Sequence, residues 1–329
     1  MTGRALPILA GVLASLFLAA ALQAQEDAAK GYPSRPIRLI EPQGAGGLPD
    51  IMARGTAQAM SQALGQPVVV DNRPGAEGII AMETCAKAAP DGYTLCIANN
   101  SHISINPIIR RNLPYDPVRD FAPVAYVAHV NGIIIARPSV PANSIRELVE
   151  LAKSNPEKVN WASTGYNSFS YLTLAWIQSS TGASFFHVPY KTSVNGQVAL
   201  LAGDVQVMQT NPQVALMLVK SGKVKALVVT GRKRSALMPD VPSFIEAGFD
   251  LDYLGWYGIF APVNTAKAIV QRLNAELGRI ALDPKFSERV LTPLGAEPNG
   301  GTTEEFAAFL RADRETAAKL AKIAGLKVE

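Results

Sequence analysis

Hydroxyl, amide and glycine residues cluster where apolar runs end, and side chains of these kinds hold polar small molecules by hydrogen bonding. The first cluster, Glu41-Pro42-Gln43-Gly44-Ala45-Gly46-Gly47-Leu48-Pro49-Asp50, follows an apolar run at 37–41 and leads into a helical pattern starting near Asp50. Glycines admit a ligand close to the backbone, and free N–H groups at a helix N-terminus seat an anion. A dinucleotide loop needs another glycine three residues beyond Gly46, where Pro49 stands, so that fingerprint fails. Four further clusters repeat the arrangement: Asn99-Asn100-Ser101, Ser163-Thr164-Gly165-Tyr166-Asn167-Ser168, Tyr190-Lys191-Thr192-Ser193 and Gln209-Thr210-Asn211. Ordinary turn chemistry is the alternative at each one. Five at strand ends point to a small polar ligand, because open α/β sheets bind ligands outside the carboxyl ends of their strands.

Catalytic signatures are missing from the sequence. It has no Gly-x-Ser-x-Gly, Ser-x-x-Lys, Walker loop, His-Glu-x-x-His or Cys-x-x-Cys, and His102, His129 and His187 stand singly. The expectation is a protein that is not an enzyme and uses no metal or cofactor. A secreted α/β hydrolase is the competing reading. It requires a reactive serine such as Ser168 with a histidine in hydrogen-bond reach.

The elements that position these loops follow from hydrophobic patterning. Strands are expected at 37–41, 68–71, 94–98, 124–127, 132–136, 159–162, 185–188, 205–209, 226–230 and 257–261. Helices are expected at 50–64, 145–153, 170–181, 194–202, 213–220 and 266–281. Alternation of this kind predicts an α/β fold with parallel sheets. Ser144 with Glu147 and Thr302 with Glu305 fit capping boxes, and the final amphipathic helix, ending at Gly325, is expected to pack on a lobe.

The chain has 329 residues, 48% hydrophobic and 18% charged, which excludes disorder and a multispan membrane protein. A net charge of +4 is too small a surplus for a nucleic-acid footprint. Arg4, the apolar run at 6–22 and the alanines to Ala24 read as a signal peptide over residues 1–24, cleaved after Ala24. Its apolar run is short for a bilayer core of about 30 Å. A soluble protein in the periplasm is therefore expected. Cys85, near a helix end, and Cys96, in the following strand, are either bridged or two buried thiols.

Several longer motifs carry a resemblance. Tyr32-Pro33-Ser34-Arg35-Pro36-Ile37, the Gly46-Gly47-x-x-Asp50 loop, Leu64-Gly65-Gln66-Pro67-Val68-Val69-Val70-Asp71-Asn72-Arg73-Pro74-Gly75-Ala76 and Ala88-Ala89-Pro90-Asp91-Gly92-Tyr93 stand in that order. Leu113-Pro114-Tyr115-Asp116-Pro117, His187-Val188-Pro189-Tyr190-Lys191 and Leu237-Met238-Pro239-Asp240-Val241-Pro242 follow. Together they resemble the Bug receptors, the substrate-binding proteins of tripartite tricarboxylate transporters. The resemblance runs from Tyr32 to Gly325.

It implies a two-lobed periplasmic-binding-protein fold, type II-like, with a small organic anion, typically a carboxylate, held in a cleft between the lobes. By position it points to Gln43, Gly46, Gly47, Asn100 and Ser101 in the first lobe and to Ser163, Thr164, Ser168, Thr192 and Asn211 in the second. The domains expected are 32–130 with 254–329, and 131–253, the two crossings forming a hinge. Partners would be tripartite permease subunits or a membrane sensor kinase, with no nucleic acid and the receptor a monomer. Glu41, Gln43, Leu48-Pro49, Asn167, Tyr171 and Gln209-Thr210 depart from the family pattern, and a bulkier, more polar cleft is expected to change what is selected.

Overall fold

The computed structural model describes residues 30–326. The leader expected over residues 1–24 lies outside them. Apolar stretches rich in β-branched residues form two sheets. The first comprises β1 (Ile37–Glu41), β2 (Val68–Asn72), β3 (Thr94–Asn99), β4 (Phe121–Val130), β10 (Gly255–Pro262) and β11 (Ala296–Pro298), in the order β11-β4-β10-β3-β1-β2. The second comprises β5 (Ile133–Ala136), β6 (Asn160–Ser163), β7 (Phe186–Pro189), β8 (Val207–Thr210) and β9 (Lys225–Val229), in the order β7-β6-β8-β5-β9. Each sheet centres one lobe of an α/β protein.

The parallel sheets expected from alternation are in fact mixed. β1 runs parallel to β2 and β3, but β10 is antiparallel to β3 and β4. In the second sheet β6 is parallel to β7 and β8, while β5 is antiparallel to β8 and β9. The chain leaves the first lobe at the carboxyl end of β4 and returns from β9, so β5 and β10 enter their sheets at the carboxyl ends of their neighbours and must run against them. Just inside the second lobe the start of β5 is bonded to the end of β9: the Gly132 N–H donates to Thr230 Oγ1 at 2.8 Å, and the Thr230 N–H to the Gly132 carbonyl at 2.7 Å. β11 had no sequence signal because three residues are too few to display a period.

Helix ends follow local chemistry. Thr302 and Glu305 complete a capping box on the helix Thr303–Ile323. Ser144 supplies only half of one: its Oγ accepts the Glu147 N–H, while the Glu147 carboxylate accepts the N–H of Asn143. The last helix packs on both lobes rather than one. Phe306 and Leu310 join an aromatic cluster with Tyr126, Trp256 and Phe260, whereas Ala317 and Leu320 pack with second-lobe residues including Trp161 and Phe244. Gly258 on β10 lies under Phe306; a Cβ there would stand 2.3 Å from the ring, so a larger residue would push the helix off the sheet. Cys85 and Cys96 pair as a disulfide with Cα atoms 6.1 Å apart. Closing so short a loop contributes about 3 kcal/mol in the chain-entropy description.

A buried acid makes this helix pH-sensitive. Asp313 is 7% exposed and accepts a 2.5 Å hydrogen bond from Ser104 Oγ. Burial pushes its carboxyl up from 3.8 to about 6. A raised folded value means the native state holds the proton more tightly, so stability falls as pH rises between about 4 and 6 and is level above. Asp313→Asn is expected to flatten that slope and to raise stability at pH 8 by up to about 3 kcal/mol, the energy of roughly two pKa units. Urea unfolding at pH 4 and pH 8 measures it; a variant less stable than the parent at pH 8 would contradict the account.

Candidate functional site

Between the sheets lies a cleft of about 770 Å³ whose wall contains all ten residues singled out from the sequence. They converge because the strand ends that carry them open on the same side of each sheet. In the first lobe, Gly47 is the N-cap of the helix Leu48–Leu64, two residues earlier than expected, with Pro49 in its first turn. The positive φ that the turn requires falls on Gly46, at +87°, while Gly47 is extended at −79°. Asp50 holds the loop from behind. Its Oδ2 accepts the Gly46 N–H at 2.9 Å and Arg54 Nε at 3.0 Å, and its Oδ1 accepts Asn72 Nδ2 at 2.9 Å. Gly46 therefore donates its N–H to Asp50 rather than to a ligand, although the loop from Pro42 to Pro49 lines the cleft throughout.

Burial alone would raise the Asp50 pKa, but the bonds from Arg54, Gly46 and Asn72 outweigh it and the carboxyl lies below its ordinary range. Glu41, fully buried at the end of β1, accepts the Gln43 N–H and Asn72 Nδ2 through Oε2, and its Oε1 has no partner. Burial pushes its carboxyl up to about 6. Asn100 and Ser101 reach across to the other lobe: Asn100 Nδ2 donates to the Tyr253 hydroxyl at 3.3 Å, and Ser101 Oγ to the Asn167 carbonyl at 3.2 Å.

The second lobe contributes three helix starts. Ser168, Thr192 and Asn211 are the N-caps of the helices Phe169–Thr181, Ser193–Ala202 and Pro212–Lys220, each accepting the N–H three residues on, from Tyr171, Asn195 and Val214. Capping satisfies the third amide and leaves earlier ones without intrahelical partners. Ser163 ends β6 and Thr164 stands exposed beside it. Lys191 is the one lysine or arginine in the wall among the described residues. Glu77 is the one acid there, and it is paired with Arg110 at 2.8 Å.

Trp256 and Tyr257 also line the cleft, a placement with no signal in the sequence. They read as part of an apolar strand and reach the ligand side only because β10 inserts between β3 and β4.

Ser163 Oγ lies 2.6 Å from His187 Nε2, the closest approach to a nucleophile and base. The His187 Nδ1 is buried without a partner, and burial lowers the imidazole to about 4. A base so weak, with no acid to hold its protonated form, is ill suited to acyl transfer. Ser168 has no histidine at all: its hydroxyl donates to the Gly165 carbonyl at 2.7 Å. Among the described residues no group of three His, Cys, Asp or Glu could hold a metal, and no helix is long and apolar enough to cross a membrane.

Known proteins share this architecture. An R. palustris protein solved with adipate superposes with a TM-score of 0.83 at 30% identity, covering 91% of this chain and 100% of the other. The periplasmic binding protein BugD gives 0.79 at 35% identity over 91% and 100%, and MatC from Rhodopseudomonas palustris with bound malate gives 0.77 at 29% over 88% and 99%. The family model described as tripartite tricarboxylate transporter family receptor, TctC, matches residues 52–326. That family consists of transporter substrate-binding proteins and not enzymes, which overturns the reading of Ser168 as a hydrolase nucleophile. A match that starts within the helix Leu48–Leu64, takes in the second sheet entirely and runs beyond the last helix places the chain in one group: it belongs to the TctC family of tripartite tricarboxylate transporter receptors.

Proposed function

We propose that this receptor is exported to the periplasm and captures a small carboxylate, of the dicarboxylate class, between its lobes for delivery to tripartite permease subunits. One observation carries the reading: four helices, one from the first lobe and three from the second, begin in the wall of the same cleft. Each helix start presents about half a positive charge and free amides. Seats on opposite walls suit an anion with two charged ends, and Lys191 adds a full charge. The adipate and malate held by the two relatives are dianions of this kind.

No single loop carries enough donors. A charge-assisted hydrogen bond contributes about 1.5 to 3 kcal/mol, and micromolar affinity needs about 8 kcal/mol after association costs. Both lobes must therefore engage at once, with the crossings at 129–131 and 252–254 acting as the hinge. Thermal-shift screening of mono-, di- and tricarboxylates, amino acids and aromatic acids tests the class. A ligand at 100 times its Kd adds about 2.7 kcal/mol of stability. Small-angle scattering at saturation should then show a smaller radius of gyration. Silence across every carboxylate would sink the reading, and a stabilising ligand with no compaction would sink closure alone.

A further inference from the structure

Behind the cleft lies a second cavity of about 310 Å³, and one side chain from the second lobe stands in the wall of both. That residue is Asn167. Its Nδ2 donates to Asn106 Oδ1 of the first lobe at 3.3 Å, its carbonyl accepts Ser101 Oγ, and its own Oδ1 lies 3.6 Å from where a Cβ on Gly165 would stand. The amide thus spans the gap between the lobes. In the second cavity Tyr166 and Tyr171 meet edge to face with centroids 4.8 Å apart, and Ile109, Leu326 and the Arg110–Glu77 ion pair complete the wall.

We propose that Asn167 ends the ligand site on this side, closing the cleft off from the second cavity and so limiting how far a ligand can extend. The inference rests on the carboxylate-receptor reading above. Asn167 immediately precedes the Ser168 cap, so a diacid with one carboxylate at that helix start meets the Asn167 amide as soon as its chain turns toward the first lobe. Without the side chain, the same path opens past Glu77 and its partner Arg110 into a chamber with Tyr166, Tyr171, Ile109 and Leu326 in its wall, room for a longer methylene chain.

Calorimetric titration with straight-chain dicarboxylates from succinate to sebacate tests this in the wild-type protein, Asn167→Ala and Asn167→Gly. Wild-type affinity is expected to fall by at least about tenfold from the best short diacid to sebacate, and both variants to recover about tenfold for sebacate. An unchanged circular dichroism spectrum and a cooperative urea transition establish that the variants are folded. If Asn167→Gly does not fold, Asn167→Ala alone decides. Folded variants with the wild-type length profile overturn the assignment while leaving the receptor function standing, as does a wild-type protein that binds sebacate as tightly as succinate. A wild-type protein that binds no dicarboxylate overturns both.

Discussion

Asp50→Ala is expected to weaken ligand binding by at least about tenfold and to lower stability by about 2 to 3 kcal/mol. The carboxylate, 3% exposed as a residue, organises the first ligand loop without facing the ligand. It fixes the Gly46 N–H, and with it the direction of the peptide that leads into Gly47; it also ties the loop to Asn72 on β2 and to Arg54 on the helix. Losing one member of a fully buried pair costs about 3 to 5 kcal/mol. The figure here is lower because Arg54, 54% exposed along its side chain, regains water when its partner leaves.

The affinity loss has a separate cause. Freed from Asp50, the glycine-rich turn samples many conformations, and ordering it again on binding costs about 1 to 2 kcal/mol per residue fixed. The same carboxylate gives a pH dependence with a definite sign. Its folded pKa is lowered, so its stabilisation is present above the ordinary value of 3.8 and is lost as pH falls through the lower folded value. Asp50→Ala should therefore show less acid destabilisation than the parent at the low end of the range. Urea unfolding and calorimetry measure both effects, and a folded variant with unchanged affinity would show that the clamp does not set the site.

Gly47→Asp is expected to move affinity and stability in opposite directions. A carboxylate at this position stands at the start of the helix Leu48–Leu64, where the ligand's own carboxylate is proposed to sit, and repels it while filling the space. Binding should fall by at least about tenfold, or 1.4 kcal/mol. Aspartate is nevertheless a good N-cap, and Gly47 has no side chain to cap with, so the helix should gain a few tenths of a kcal/mol. Gly47→Ala separates the two contributions. With φ at −79° the position is unstrained for any residue, and a Cβ would meet Pro49 Cδ at 3.6 Å and the Gly44 carbonyl at 3.9 Å, ordinary contacts. The alanine variant should bind nearly as the parent does. A Gly47→Asp protein that binds undiminished would make this loop a structural turn only.

Much of the architecture was legible because it is encoded locally. Ser144 and Thr302 cap helices in the structure as expected, since a cap is decided within four residues of chain, and Ser168, Thr192 and Asn211, read from the sequence as ligand residues, prove to be caps as well. The ten strands expected from patterning are all present, with ends shifted by up to three residues, because an apolar run of β-branched residues declares itself without its neighbours. Family membership was readable for a related reason: the motifs from Tyr32 onward are short, ordered and numerous.

What the chain order could not decide was direction, distance and burial. Nothing local tells β10 to insert antiparallel between β3 and β4, which is what brings Tyr257 to the cleft. The last helix was legible as amphipathic, but its halves pack on different lobes, and only the packed molecule determines which apolar residue meets which core. Glu41 looked like a polar strand end and is a fully buried acid; His187 looked solitary and lies 2.6 Å from Ser163, 24 positions away. Hydrogen bonds and desolvation act across space, so the partners that set a side chain's charge and role become known only once the two lobes have brought distant segments together.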